Sequence, residues 1–302
     1  MNPISQTSAY YRTIPGVGAL RLALGASQRV WPALAVRAAS SLFLTPLPLK
    51  LFNRGTTWGK QWRRERWPFE GGDMSVYSTD GSGPVALLVH GWGGHAGHMR
   101  ALADGLAAQG LRAVIVEMPG HGHSAGWQTT LPQFGRALDY VTARLVQQGA
   151  TVRVLVAHSL GATASAYEAA RGLPVERLVL VAPAASPPAY TRMFAQIFGL
   201  SEPTRAAMQK RLEARAGALM TQFEPQTSGR RIGVPTLVVH DRDDAVNAFG
   251  DGQAFVDAID GARMLATQGL GHRALLKDMG VVAEVVAFAV PAAVTELERC
   301  LV

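Results

Sequence analysis

The stretch that decides the fold runs from Val154 to Ala162 and reads Val-Leu-Val-Ala-His-Ser-Leu-Gly-Ala. Its first half is apolar and β-branched and its second half continues into a helix-like segment, so it predicts a strand, a sharp turn and a helix. Ser159 lies at the apex of this turn. The small residues at 157 and 161 leave room for a strained serine backbone, and the N–H of Leu160 lies at the start of the helix, facing the serine hydroxyl. The segment therefore predicts a serine that projects into a cleft.

Strands and helices alternate along most of the chain on both sides of this turn. Apolar runs predict strands at 74–78, 85–90, 112–117, 152–157, 177–181, 234–240 and 264–267, with helical segments between most of them. Strands rich in Val and Leu in this alternation predict an α/β fold with a mostly parallel central sheet and helices on both faces. The chain is 48% hydrophobic and 17% charged, which is typical of a globular protein with a sizeable core. We assign this domain to residues 73–302.

The alternation is interrupted between residues 186 and 229. This region contains no convincing strand and has two helical stretches, near 192–198 and 203–223. Because it falls between two predicted strands, it is interpreted as a helical lid over the carboxyl ends of the strands. The alternative interpretation is a long helical crossover.

The first 72 residues differ from the rest of the chain in charge. They contain ten Lys or Arg and two acidic residues, whereas the remaining residues contain 19 basic and 20 acidic ones. We assign residues 1–72 to a basic, helical N-terminal extension that ends in an aromatic stretch, Trp58–Trp67. Such a segment can pack on the main domain with its arginines in water, attach peripherally to an anionic membrane surface, or bind nucleic acid. Packing on the main domain is favoured over membrane attachment, and nucleic acid is the least favoured partner.

Composition excludes several other classes of protein. The single cysteine, Cys300, excludes an intramolecular disulfide and a cysteine-rich metal site. No segment has the order of a secretory signal, and the most apolar run, 280–294, is too short to span a bilayer. We expect a cytoplasmic protein, peripheral at the inner membrane surface if the extension binds lipid.

The histidines at 90, 95, 98, 121 and 123 lie on glycine-rich loops without a following acidic ligand, so we expect neither a metal nor a cofactor.

Candidates for a nucleophile, a base and an orienting acid follow separate strands. Ser159 needs a base, because a serine hydroxyl is a weak nucleophile at neutral pH. His272 follows the last predicted strand in a glycine-flanked loop and is the candidate base. The orienting acid is assigned to Asp244, because a few residues of turn bring its carboxylate back over the strand end. Asp241 and Asp243 are the alternatives, and we expect them to cap the turn or to bind Arg242.

Backbone amides are the candidates for stabilising an oxyanion. The strand before His90 leads into Gly-Trp-Gly-Gly, so the N–H of Trp92 is expected to face the same cleft as the N–H of Leu160. The Trp92 side chain is a candidate for lining an acyl pocket. His158 is expected to pack beside the sheet, with a substrate contact as the alternative.

Five motifs together resemble the α/β-hydrolase family, and in particular its bacterial serine esterase-like members: His90-Gly-Trp-Gly-Gly, Pro119-Gly-His-Gly-His-Ser, Ala157-His-Ser-Leu-Gly, His240-Asp-Arg-Asp-Asp and Gly271-His272. The order Ser, Asp, His along the chain is the one used by this fold. Ala157 stands where the family has glycine, and Glu117 stands where it often has aspartate. A serine at position 159 argues against the dehalogenase and epoxide-hydrolase branches, because the resemblance implies that those branches have an aspartate at this position.

The sequence therefore predicts a serine hydrolase that cleaves carboxylic esters or thioesters of small molecules through an acyl-enzyme. An amidase, a peptidase or an acyltransferase with the same triad is the alternative within enzymes. A membrane-surface binding protein with a hydrolase-like body is the alternative outside them. The sequence defines neither the natural substrate nor the oligomeric state.

Overall fold

One eight-stranded sheet forms the centre of the molecule. A computed structural model describes residues 16–47, 50 and 57–291. Residues 1–15 and Cys300 lie outside the described residues, as does the C-terminal part of the apolar run at 280–294. The strands are β1 (Trp62–Phe69), β2 (Gly72–Thr79), β3 (Val85–Val89), β4 (Arg112–Val116), β5 (Val152–His158), β6 (Leu178–Val181), β7 (Thr236–Asp241) and β8 (Arg263–Thr267).

The strand order is β1-β2-β4-β3-β5-β6-β7-β8. The β1–β2 and β2–β4 pairs are antiparallel, and every other neighbouring pair is parallel. The predicted mostly parallel sheet is therefore confirmed. Because β3, β5, β6 and β7 lie side by side and run in one direction, the loops that follow them all open at the same edge. This edge carries the candidate site, as is usual for open α/β sheets.

Helices cover both faces of the sheet. The described residues form α1 (Val17–Val30), α2 (Pro32–Phe43), α3 (Arg100–Ala107), α4 (Leu131–Gln147), α5 (Leu160–Ala169), α6 (Pro187–Phe198), α7 (Glu202–Ala216), α8 (Pro225–Ser228), α9 (Phe249–Ala258), α10 (Gly271–Ala274) and α11 (Met279–Ala289), with 3-10 turns at Ala96–Met99, Met220–Phe223 and Gly229–Arg231.

Alternate strand residues form two cores. On β3, Leu87 packs with α4, α5 and α9, whereas the next residue, Leu88, packs with α3 and α11. This alternation follows from the period of two in a strand, and it explains why both faces of the central strands are apolar. None of the helices within the described ranges is long and apolar enough to cross a membrane.

The N-terminal region departs from the predicted helical extension. Helices α1 and α2 lie within residues 17–43, with Pro32 at the start of the second helix, but Trp62–Phe69 is an edge strand of the sheet. The predicted boundary after residue 72 is therefore wrong for residues 62–69. The strand forms because Trp62 and Trp67 are buried on β1 while Arg63–Arg66 are exposed, and a two-residue turn with positive φ at Glu70 and Gly71 pairs it with β2. Charged side chains are common on exposed edge strands, where they discourage further pairing.

Between β6 and β7 the chain forms α6 to α8 and two of the 3-10 turns, which we call the inserted helices (187–231). Helices α1 and α2 pack on them in a separate apolar cluster that includes Leu24, Ala39, Phe194 and Met208. Arg21 fixes this packing, because its Nη1 donates to the carbonyl oxygens of Gln196 and Ile197 at the end of α6. Residues 17–44 and the inserted helices therefore form one packed layer.

Candidate active site

Ser159 occupies a tight turn between β5 and α5. Its backbone has φ 54° and ψ −123°, a conformation that side-chain-bearing residues rarely adopt and that costs on the order of 1–3 kcal/mol. The turn is held by its neighbours: Ser159 N–H donates to Val181 O at 2.9 Å, and Ser159 O accepts from Ala162 N–H at 2.9 Å. The side chain consequently projects from the sheet edge rather than along the helix.

Two glycines make this turn possible through close packing. A Cβ added at Gly161 would lie 2.5 Å from His90 O, and one added at Gly91 would lie 2.7 Å from Ser159 Cβ. Both distances are far shorter than a normal contact, so neither position accepts a side chain without movement of the backbone or of the serine. The loop after β3 therefore lies directly against the serine.

His272 and Asp244 are joined across 28 residues of chain. His272 Nδ1 lies 2.7 Å from Asp244 Oδ2, and the other carboxylate oxygen accepts from the N–H groups of Val246 and Asn247 at 2.7 and 3.0 Å. Burial alone would raise the pKa of the Asp244 carboxyl, but the hydrogen bonds from His240 and His272 and those of the backbone together lower it well below its ordinary value. Asp244 is therefore a buried carboxylate that orients the His272 ring.

Asp241 and Asp243, the alternatives for the orienting acid, hold the turns instead. Asp241 Oδ2 accepts from Thr267 Oγ1 at 2.6 Å and from Leu270 N–H at 3.1 Å. Asp243 Oδ2 accepts from Gly269 N–H at 3.0 Å. Both carboxylates thus fix the loop that carries His272.

His272 and Ser159 line one cavity. In the part of the chain that the structure describes, Ser159 Oγ makes no hydrogen bond to the His272 ring. Hydrogen bonds between a nucleophile and its base are often long before substrate binds, so this geometry remains compatible with proton transfer. The structure places the candidate nucleophile and the candidate base at one cavity and joins the candidate base to the candidate acid.

His158, next to Ser159 in the sequence, contacts the backbone of His272. Its Nε2 lies 2.9 Å from the backbone oxygen of His272, so Nε2 carries the proton and donates it to that oxygen. The two rings lie 4.6 Å apart between centroids. Burial, followed by the proximity of His272, lowers the pKa of His158 well below its ordinary value, so the ring is neutral. The expectation that His158 packs beside the sheet agrees with its burial, and the residue also lines the cavity.

Two neutral histidines fix the loop that carries Trp92. His90 Nδ1 lies 2.7 Å from Gly91 O and its Nε2 accepts from Met118 N–H at 3.1 Å. His121 Nδ1 lies 3.1 Å from Pro119 O and its Nε2 accepts from Gly93 N–H at 3.0 Å. Each ring therefore carries its proton on Nδ1. Burial lowers the pKa of His90 well below its ordinary value and that of His121 to about 4.

The amides of Trp92 and Leu160 are free to bind an oxyanion. Neither N–H donates to an acceptor among the described residues, and Leu160 is the first residue of α5, where no intrahelical acceptor exists. Both residues line the cavity. Preorganised N–H groups of this kind stabilise negative charge that develops on a substrate oxygen.

The cavity above the serine has a volume of about 510 Å³. Much of its lining is apolar and is contributed by the end of α2, the residues that follow it and the inserted helices. These apolar side chains include Leu42, Phe43, Leu44, Leu47, Met193, Phe194, Ile197, Phe198, Leu212, Met220 and Phe223. The polar groups described above line the same cavity.

Three contributors to the site were missed by the sequence reasoning. His240 Nε2 lies 3.1 Å from Asn247 O and 3.5 Å from Asp244 Oδ2, behind the carboxylate. Asn247 Nδ2 donates to Ala182 O at 2.7 Å, and Tyr190 donates its hydroxyl proton to Asn247 Oδ1. Residues 42–47 form one wall of the cavity. The position of His240 next to the acidic motif was a signal, whereas nothing in the sequence marked Asn247 or residues 42–47.

Comparison with known families matches residues 83–222 to a model described as serine aminopeptidase, S33. This match includes the Trp92 loop and the serine turn, and the sheet order places both at one edge. The chain has the α/β-hydrolase fold.

Two curated proteins that are similar to this chain carry esterase names. Pimeloyl-[acyl-carrier protein] methyl ester esterase of Vibrio atlanticus is 30% identical over 111 residues, which is 36% of this chain and 40% of that protein. The protein of the same name from Methylococcus capsulatus is 34% identical over 99 residues, 32% of this chain and 35% of that protein. The match thus spans about two fifths or less of the curated relatives. The solved structure of Est1E from Butyrivibrio proteoclasticus with bound ferulic acid has a TM-score of 0.58 at 20% identity, and the match covers 74% of this chain and 97% of that one.

Because these buried histidines are neutral, we predict that the free energy of unfolding decreases in acid. Because the pKa of His121 is about 4 in the fold against an ordinary value of 6.5, the unfolded chain binds a proton first, and stability falls as pH decreases from 6.5 to about 4. In His121→Gln, the slope of the free energy of unfolding against pH in this window should decrease by about 1.4 kcal/mol per pH unit, measured by urea denaturation.

Phe134→Leu is the matched control for this prediction. Phe134 contacts the His121 ring, with centroids 5.5 Å apart, but does not titrate. The Phe134→Leu variant should lower the free energy of unfolding at every pH and leave its slope against pH unchanged. An unchanged slope in His121→Gln would show that His121 does not carry the acid sensitivity.

Proposed function

We propose that this chain is a serine hydrolase that cleaves carboxylic esters or thioesters of apolar acyl groups through an acyl-enzyme. The observation that carries the proposal is the 2.7 Å contact between His272 Nδ1 and the buried Asp244 carboxylate, in the cavity that also contains Ser159 Oγ. The contact fixes the tautomer of His272 with its proton on Nδ1, so Nε2 is the available base. The esterase names of the curated relatives support the same chemistry.

The proposed reaction requires only groups of this chain and water. Ser159 Oγ attacks the carbonyl carbon while its proton moves to His272 Nε2, and the carbonyl oxygen becomes an anion held by the N–H groups of Trp92 and Leu160. As the tetrahedral species collapses, the bond to the leaving oxygen or sulfur breaks and His272 returns the proton to it. Water then attacks the acyl-enzyme with His272 again as base, and this step releases the carboxylic acid and restores the serine.

The cavity supports an apolar acyl chain as the substrate group. Its outer wall consists of aliphatic and aromatic side chains, and its volume of about 510 Å³ lies within the usual range for small-molecule sites. Each methylene group moved from water into such a wall contributes about 0.8 kcal/mol. We therefore infer that the inserted helices act as the predicted lid and that they and residues 42–47 select the acyl chain.

An aminopeptidase is the second candidate, because the matching family model carries that description. A free α-amino group needs a carboxylate partner in the cavity. Glu213 is the only carboxylate among the described residues of the lining, and its Oε1 already accepts from Gln209 Nε2 at 3.0 Å and from Met220 N–H at 3.1 Å. This arrangement favours the ester over the peptide. Amino-acid p-nitroanilides, and product analysis with alcohol or amine acceptors, distinguish peptidase and acyltransferase from hydrolase.

The nucleophile and its orienting acid are tested by labelling and by activity. A fluorophosphonate should modify Ser159, mapped by mass spectrometry, and Ser159→Ala should abolish both labelling and hydrolysis of p-nitrophenyl esters. Asp244→Asn should lower kcat by about 10³- to 10⁴-fold, because the His272 tautomer is no longer fixed.

Asp243→Asn is the matched control for Asp244→Asn. The amide oxygen can still accept from Gly269 N–H, so kcat should change by no more than a few-fold. If Ser159→Ala retained full activity, or if both Asn variants lost activity equally, the assigned nucleophile or acid would be wrong.

Selection of the acyl chain is tested by a series of p-nitrophenyl esters from acetate to octanoate. kcat/KM should rise by up to about fourfold for each added methylene group. Ala216→Phe narrows the cavity and should remove this rise while sparing acetate. Ala214→Phe lies on the exposed side of the same helix and should behave as the unsubstituted protein. A flat profile in the unsubstituted protein would exclude an apolar acyl pocket.

A further inference from the structure

The corner between α1 and α2 exposes large apolar side chains that no described residue covers. Val30 ends α1, Trp31 connects the helices and Leu34 lies in the first turn of α2; their exposed fractions are 63%, 64% and 55%. They lie within five consecutive exposed residues, 30–34, and form one patch, which we call the hairpin tip (Val30, Trp31 and Leu34). An apolar cluster that contains an exposed tryptophan is unusual on a protein surface and marks an interaction site.

The charged residues that flank the hairpin tip in the sequence are both arginines. Arg29 precedes the tip and Arg37 follows Leu34 by three residues, on the same side of the helix. Both side chains are exposed, and neither forms an ion pair within the described ranges. The sequence contains nine Lys or Arg and no Asp or Glu before Glu65. A tryptophan flanked by arginines fits the interface of an anionic bilayer, where the ring enters the headgroup region and the guanidinium groups pair with phosphates.

The hairpin tip is held in a fixed position relative to the cavity. Gln28, next to the tip on α1, donates from Nε2 to Gly199 O at 3.0 Å and accepts from Ser201 N–H at 2.8 Å. Helix α2 begins at the tip and ends at Phe43, which lines the cavity. The helix spans about 18 Å at 1.5 Å per residue. One rigid element therefore connects the exposed patch to the wall of the acyl pocket.

We propose that the hairpin tip docks the protein peripherally on an anionic lipid surface, with Trp31 and Leu34 inserted and Arg29 and Arg37 bound to headgroup phosphates. The like charges of Arg29 and Arg37 disfavour a second copy of the chain as the occupant, since the same arginines would face one another. Docking on lipid does not require catalysis. When the proposed function also holds, it brings the acyl pocket to a surface from which apolar esters are supplied.

Co-sedimentation of the full chain with vesicles tests this proposal. Vesicles of phosphatidylcholine mixed with phosphatidylglycerol should bind the protein at low salt, and phosphatidylcholine alone or high salt should weaken binding. Trp31→Ser with Leu34→Ser, and separately Arg29→Gln with Arg37→Gln, should each weaken binding about tenfold or more. Met279→Ser removes an apolar side chain that is 75% exposed on another helix and should have no effect.

Three results would overturn the proposal: no sedimentation with the anionic vesicles, sedimentation of both double variants as strongly as the unsubstituted protein, or a dimer in analytical ultracentrifugation that Trp31→Ser with Leu34→Ser dissociates while vesicles are not bound. If Trp31→Ser with Leu34→Ser unfolds the protein, sedimentation of Arg29→Gln with Arg37→Gln tests the proposal by itself. The substituted residues do not line the cavity, so hydrolysis of soluble p-nitrophenyl acetate should be unchanged in every variant. Loss of hydrolysis in all proteins with normal sedimentation would contradict the proposed function and leave the docking surface intact.

Discussion

The backbone conformation of Ser159 is the constraint on which the site depends. A serine with φ 54° is stable here only because β5 and α5 hold it from both ends and because Gly91 and Gly161 leave no side chain in its way. The same close packing brings the loop of Trp92 against the serine. Strain at Ser159, the position of the two free amides and the order of the parallel strands are therefore consequences of one packing arrangement.

Buried neutral histidines maintain this arrangement around the reacting groups. His90 and His121 hold the Trp92 loop, and His158 holds the backbone of His272. His90 and His121 accept these hydrogen bonds only while their Nε2 atoms carry no proton. Burial favours the uncharged form of all three rings. Beyond these fixed groups, the wall of the cavity comes from α6, α7 and residues 42–47, which lie outside the sheet. The proposed catalytic groups and the apolar wall of the cavity thus belong to different layers of the molecule.

The sheet and the groups at its edge could be predicted because each depends on local pattern. The strands are runs of Val and Leu, and Ser159, His272 and Asp244 follow strands whose carboxyl ends must meet. Two features could not be predicted in this way. The stretch at 62–69 looked like a basic aromatic segment because its buried positions are only Trp62 and Trp67, and its pairing with β2 is visible only in three dimensions. The cavity wall at residues 42–47 depends on how α1 and α2 pack on the inserted helices, and no motif encodes that contact.

A crystal structure of the protein inactivated by a phosphonate ester with an alkyl chain measures the central arrangement directly. The account predicts phosphorus bonded to Ser159 Oγ, a phosphoryl oxygen within hydrogen-bond distance of the N–H groups of Trp92 and Leu160, and His272 Nε2 facing the leaving-group position. The alkyl chain should lie between the inserted helices and residues 42–47. Phosphorus on another residue, or a phosphoryl oxygen directed away from both amides, would contradict it.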